Sequence, residues 1–193
     1  MRAYSIISCL ALSLWPSCSV LGQSSFWLAN HVGVDAPVFD AQGAPLAGPN
    51  YSAELWGSAT PDSLTPLVVI NQGDRREIVP FITRGYFFSG NSFLCVTSVL
   101  PAAFAWLQVR AWDARLGATF EDAAARGLGG YGESPLFYAR GSDPFLIPPE
   151  LPGPLIGLQS FSLLPEVPEP STWALLAFAG MSVVWARRRQ RPK

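Results

Sequence analysis

The chain has 193 residues, a net charge of −1 and only 14% charged residues, so its length allows one domain plus targeting segments. Residues 23–166 hold seven arginines and no lysine against thirteen acids, a net −6, while both ends are positive. A body that acidic argues against nucleic-acid or phosphate partners, which require a basic footprint.

Met1-Arg2 forms a short positive start, and Ile6 to Trp15 is an apolar run. Val20-Leu21-Gly22 then supplies small or β-branched residues near a cleavage point. Residues 1–22 therefore read as a secretory signal peptide, cut after Gly22 by signal peptidase. Cleavage removes Cys9 and Cys18 and leaves Cys95 alone, so no intramolecular disulfide is available even in an oxidising compartment. Its setting, Phe93-Leu94-Cys95-Val96, reads as a buried strand in which the thiol is a small core hydrophobe.

The body, residues 23–164, shows little helical period. Its expected strands are Ser25–Ala29, Ala36–Asp40, Tyr51–Gly57, Leu67–Asn71, Glu77–Ile82, Gly85–Phe88, Ser92–Val99, Ala105–Asp113, Pro135–Ala139 and Gln159–Leu163. Turn chemistry falls between them, as in Asp40-Ala41-Gln42-Gly43 and Asn71-Gln72-Gly73-Asp74. Regular strand and turn spacing points to an all-β sandwich or barrel. The expected form is a β-sandwich, Ig-like or jelly-roll-like, with one short helix over Phe120 to Arg126. Thr119 can cap that helix, Glu121 and Asp122 suit its first turn, and Gly127 can end it. Gly141 to Pro154 is rich in Pro and Gly and reads as an irregular loop.

The clearest strand alternates along Ala105–Asp113. Leu107, Val109 and Ala111 share one face, and Trp106, Gln108, Arg110 and Trp112 the other. If the first face is the core, the second presents two tryptophans flanking an arginine. That is a cation–π arrangement and an aromatic platform of the kind sugars stack on.

Residues with catalytic or metal-binding chemistry are few. His31 and Cys95 are the single histidine and the single thiol of the mature chain, 64 positions apart, and a zinc site needs several ligands at short spacing. No Gly-x-Ser-x-Gly elbow, phosphate loop or dinucleotide fingerprint occurs. Asp35 and Asp40 are too scattered for a calcium loop. Glu54, Glu121 and Asp122 read as solvated or capping residues rather than a glycosidase pair. The expectation is a non-enzyme without metal or cofactor.

Residues 165–193 are a tail of three regions. Pro168-Glu169-Pro170 is stiff and extended, because proline fixes its own φ and biases the residue before it. Ser171 to Ala186 is 16 residues without a charge, which a helix stretches to about 24 Å, short of the roughly 30 Å of a typical hydrocarbon core. The segment therefore crosses as a transmembrane helix only with local thinning or help from its flanks. Trp173 and Trp185 lie near its ends, where indoles favour the headgroup level, and Arg187, Arg188 and Arg189 hold the C-terminus in the cytoplasm. Glu169 must then lie outside, just above the lipid. An ordinary tail anchor would share the span and the arginines, but not the proline-framed carboxylate.

This order of motif, span and Arg cluster resembles the PEP-CTERM sorting tail of exopolysaccharide-making Gram-negative bacteria. The resemblance covers about 27 of the 193 residues. It implies that an exosortase, a multi-pass membrane enzyme, recognises and cuts the tail at Pro168-Glu169-Pro170. It further implies transient residence in the inner membrane, then the cell surface or an exopolysaccharide matrix. Ala36-Pro37-Val38-Phe39-Asp40 and Val109-Arg110-Ala111-Trp112-Asp113 are similar to phrases in modules that accompany this tail, a likeness that implies no activity. The expected function is a non-catalytic surface or matrix protein. The alternatives are a carbohydrate-binding module acting through Trp106, Arg110 and Trp112, or a secreted glycoside-active enzyme.

Overall fold

A computed structural model describes residues 23–166. The signal segment, the expected transmembrane helix and the tail residues Pro168, Glu169, Pro170, Trp173, Trp185, Arg187, Arg188 and Arg189 lie outside the described residues.

In chain order the strands are β1 Ser24–Phe26, β2 Val38–Phe39, β3 Gly48–Ser58, β4 Thr65–Pro66, β5 Val68–Val69, β6 Val79–Thr83, β7 Tyr86–Phe87, β8 Leu94–Val96 and β9 Phe104–Asp113. Helix α1, Phe120–Ala125, follows, then β10 Tyr131–Glu133, β11 Phe137–Arg140 and β12 Phe161–Ser162. The largest sheet runs β10-β9-β3-β6-β7, with β11 also on β9 and β4 on β3. A three-stranded sheet β1-β8-β5 and the parallel pair β12-β2 complete the body. The arrangement is all-β and sandwich-like, not a barrel.

One core binds the three sheets. Phe26 and Leu94 come from the small sheet, Leu55 and Leu107 from the large one, Val38 from β2, and Leu155 from the stretch leading into β12. β9 enters it through Ala105, Leu107, Val109 and Ala111, all fully buried, the face expected from the alternation. Gly57 of β3 permits a close approach: a Cβ there would stand 2.7 Å from Leu107 Cδ2. β6 and β7 are joined by Arg84-Gly85, both with positive φ, the geometry of a two-residue hairpin turn whose twist matches the strands. Asn30, fully buried, clips the N-terminal segment to that hairpin. Its Nδ2 donates to the carbonyls of Ala36 and Gly85, both at 2.8 Å, and its Oδ1 accepts from Phe87 N–H at 2.9 Å.

Thr119 caps α1, as the sequence suggested, and Asp122 completes a capping box by reaching back to the Thr119 N–H; Arg126 is the C-cap just beyond the helix. Residues 141–154 are irregular but pinned at both ends, since Ser142 and Gly153 both hydrogen-bond to Ser25. Between the pins, Phe145, Leu146, Ile147 and Leu151 are exposed. Two strands escape the sequence pattern. β10 has Gly132 at its centre, and β4 is a two-residue edge ending in proline, so neither shows alternation.

Candidate functional site

The outer face of the large sheet carries most of the polar and aromatic chemistry. In register, Glu54 on β3 stands opposite Arg110 on β9, which stands opposite Glu133 on β10. Trp56 faces Gln108, and Ser52 faces Trp112. The period-two alternation of both strands therefore gathers these side chains on one surface.

Glu54 corrects the expectation of a solvated carboxylate: its side chain is 0% exposed. The physical reason is a complete set of partners. Arg76, from the segment before β6, donates to both of its oxygens through Nε and Nη2, and Trp56 Nε1 donates at 2.9 Å. Burying a carboxylate is costly unless it is paired and hydrogen-bonded in this way. Arg76 also grips Glu121 on α1, at 3.0 and 3.1 Å. One guanidinium thus ties β3 to the helix that lies over the sheet. The guanidinium pKa rises, chiefly through the Glu54 hydrogen bonds, despite partial burial.

Trp106, Arg110 and Trp112 share a face, as alternation requires, but do not form one open platform. Trp112 is fully buried. Phe120 packs edge-on against it at 6.3 Å, and its Nε1 donates to the Gly117 carbonyl at 3.0 Å. The reason is α1, which roofs this end of β9. The guanidinium of Arg110 lies 3.7 Å over Trp56 and 4.9 Å over Phe120. Its cation–π partners are therefore neither tryptophan of its own strand. Burial lowers the Arg110 pKa, against the pull of Glu133 and the other nearby acids. Glu133 lies 3.6 Å away, and Gln108 accepts from Arg110 Nε at 3.1 Å.

Trp106 belongs instead to a second, more exposed row at the other end of β9. Tyr138 on β11 stands opposite it in register. The Tyr138 ring is 5.0 Å from Trp106 and 5.1 Å from Phe104, stacked on the latter. Phe104 and Tyr138 are 50% and 53% exposed. The rings form a column in which Tyr138 packs against both Phe104 and Trp106. Sequence reasoning placed Trp106 here but missed Tyr138, which comes from β11, and Phe104, which lies one residue before the expected strand. Trp56 and Arg76 were missed as well. The signal for Trp56 was its position two residues after Glu54, which puts both on one face.

Cys95 lies in β8 as a buried core residue. Burial pushes its thiol up to about 11, so it stays protonated at neutral pH. His31 is exposed and packs edge-on against Tyr86 and Phe88. Among the described residues, no three His, Cys, Asp or Glu side chains gather as a metal site, and no helix is long and apolar enough to cross a membrane.

The chain leaves the body at the opposite end of β9 from the exposed aromatic row. Leu163 N–H donates to Phe39 O at 2.9 Å, Leu164 N–H to Tyr131 O at 2.8 Å, and Gly130 N–H to Leu164 O at 2.9 Å. Leu163 is buried. Gly129, at φ +79°, abuts the Pro165 carbonyl so closely that a Cβ would collide with it. A cavity of about 190 Å³ opens beside this exit, lined by Asp40, Gln42, Tyr51, Gly130, Leu164 and Glu166.

A family model, the PEP-CTERM protein-sorting motif, matches residues 166–189, beginning at the last described residue. The tail is a PEP-CTERM sorting motif. It supports an exported protein that an exosortase sorts through the membrane toward the cell surface. No curated protein and no solved structure matches the chain.

Proposed function

We propose that the protein is a non-catalytic component of the cell surface or extracellular matrix. It is exported by its signal peptide, held briefly by the transmembrane helix, and released into an exopolysaccharide-bearing layer when the exosortase handles Pro168-Glu169-Pro170. The observation that carries this reading is the sorting motif fused directly to a body whose outer-face ions are paired with one another. Glu54 and Glu121, the carboxylates nearest to an acid–base pair, are both gripped by Arg76. A glycosidase needs one carboxyl free to donate and another free to attack or to activate water.

The deciding experiment is C-terminal mass spectrometry of the protein from its host, with and without the exosortase. Trimming near Pro168 only in the presence of the enzyme is expected, and Glu169→Ala should accumulate an uncut form in the inner membrane. Lys193 retained in both strains, at equal surface abundance, would reduce the tail to a plain anchor. Polysaccharide turnover by the exported protein, abolished by Glu121→Gln, would end the non-catalytic reading.

A second reading, glycan binding, now rests on Phe104, Trp106 and Tyr138 rather than on Trp106, Arg110 and Trp112. Half-exposed rings on one strand end favour it, although their mutual stacking leaves fewer open faces for sugars. Tyr138→Ala should then weaken retention on polysaccharide gels while leaving the melting temperature nearly unchanged. Equal retention of both proteins removes this reading.

A further inference from the structure

We propose that the rim around Leu164–Glu166 is a docking surface for the membrane enzyme that processes the tail, so that the enzyme meets the folded body and the motif together. The proposal rests on the tail being processed, the reading given under the proposed function. Its basis is the number of residues between the described body and the motif.

Residues 161–165 belong to the fold. Phe161 and Ser162 pair with Val38 and Phe39, Leu163 is buried, and Leu164 is hydrogen-bonded through both its N–H and its carbonyl. Only Val167 separates Glu166 from Pro168. Three fully extended steps from Glu166 to Glu169 reach about 10 Å. A single helix with its side chains is about 10–12 Å across. An enzyme built of membrane helices therefore cannot close its active-site groups around Glu169 without touching the rim, unless β12 first leaves β2.

The rim is suited to such docking. The turn Asp40-Ala41-Gln42-Gly43 projects beside the exit, and Ala41, Gln42 and Gly43 are exposed. The turn is preformed, because Asp40 Oδ1 accepts from the N–H groups of Gln42 and Ala44 at 2.9 and 2.8 Å. With Tyr51, Gly130 and Glu166 it encloses the cavity at the exit. Asp40 and Glu166 give the rim two carboxylates, and the motif adds Glu169 just beyond. The matching surface on the enzyme is a hydrogen-bond-donating or cationic loop facing outward from the membrane. Remaining docked costs nothing in the body. Detachment would expose Leu163 and break the hydrogen bonds to Phe39, Tyr131 and Gly130.

The test follows the ratio of uncut to cut full-length protein in the host over time, with four variants. Gln42→Arg places a bulky cation on the rim without touching the core. A six-residue Gly/Ser insertion between Glu166 and Val167 adds a flexible leash of roughly 13 Å. Phe39→Cys with Ser162→Cys pins β12 to β2 by an oxidised bridge. Glu169→Ala controls for processing itself. The docking surface predicts that Gln42→Arg slows cutting several-fold, that the insertion relieves this defect, and that the pinned protein is cut like the wild type. A pinned protein that stays uncut until reduced would show that β12 must peel away, and would overturn docking. So would Gln42→Arg cut at the wild-type rate. If the wild type itself stays uncut and matches Glu169→Ala, the processing reading falls, and docking with it.

Discussion

The two faces of β9 are built on opposite principles, although they are one residue out of phase. The inner face, Leu107, Val109 and Ala111, contributes apolar area to a core shared by three sheets. Its stabilisation is non-directional and scales with the area removed from water. The outer face, with Gln108, Arg110 and Trp112, contributes directed interactions: a guanidinium between two rings, and an indole N–H on a carbonyl. β3 repeats the division, with Leu55 inward and Glu54 and Trp56 outward. Trimming an apolar side chain on the inner face leaves a hole. Removing one ionic partner on the outer face strands the other, and the damage can be undone by replacing that group too.

The largest expected effects test this difference directly. Leu55→Ala should cost about 3 kcal/mol through lost burial and a residual cavity. Glu54→Ala should cost a similar amount, about 3 kcal/mol, because it strands Arg76 and the Trp56 N–H. Either substitution lowers the melting temperature by roughly 10 °C in a domain of this size. The second changes separate the faces. Adding Arg76→Met to Glu54→Leu should recover the part of the loss that comes from the stranded guanidinium, since a buried pair replaced whole by apolar groups is often neutral, and leave only the Trp56 N–H unpaired. Adding Leu107→Ala to Leu55→Ala should only deepen the loss. Denaturant melts of the five proteins decide it, and a Glu54→Leu/Arg76→Met protein as weak as Glu54→Ala would show that the outer face is not held by pairing.

A smaller effect is expected at Arg110. Its position between Trp56 and Phe120 predicts a loss of about 1–2 kcal/mol for Arg110→Ala. Arg110→Lys should fall between, because a lysine keeps the charge but lacks the planar fork that reaches Gln108. If the lysine variant matches alanine, stacking of the flat guanidinium matters more than charge.

The inner face was legible in the sequence because period two and apolar side chains suffice to define it, and Ala105–Asp113 states both plainly. The Thr119 cap was legible for a similar reason: its signal is local. The outer face was only half legible. Alternation put Trp106, Arg110 and Trp112 on one side, but what covers that side is decided by α1 and by Arg76, which join it through tertiary packing. Glu54 shows the limit most clearly. A lone glutamate in a strand reads as solvated until an arginine 22 positions away is seen to close on it. The aromatic column fails to appear for a related reason, since Tyr138 meets Trp106 only through strand pairing. The tail is the opposite case. Its motif, apolar span and basic cluster are contiguous in sequence, and a match to residues 166–189 follows from the sequence alone.

The smallest expected effect sits where the outer face meets the helix. Glu121 is 46% exposed and shares Arg76 with Glu54. Partial burial opposes its ionisation, but the Arg76 hydrogen bond and the backbone N–H at the start of α1 outweigh burial, so its pKa lies below the ordinary 4.5. A depressed carboxylate stabilises the fold at pH values above its ordinary pKa, and that contribution is lost as pH falls through the folded value. Solvent screening at this exposure holds it to under about 1 kcal/mol. Asp113 is also depressed, by Arg115 against the effect of burial, so the acid sensitivity of the whole protein does not isolate Glu121. The difference between the wild type and Glu121→Gln does. The wild type should be slightly the more stable at pH 7, and the gap should narrow toward about pH 3 as falling pH begins to protonate Glu121. A gap unchanged between those two pH values would mean that Glu121 holds α1 by shape and hydrogen bonding rather than by charge, and the ionic half of the comparison would then stop at Glu54.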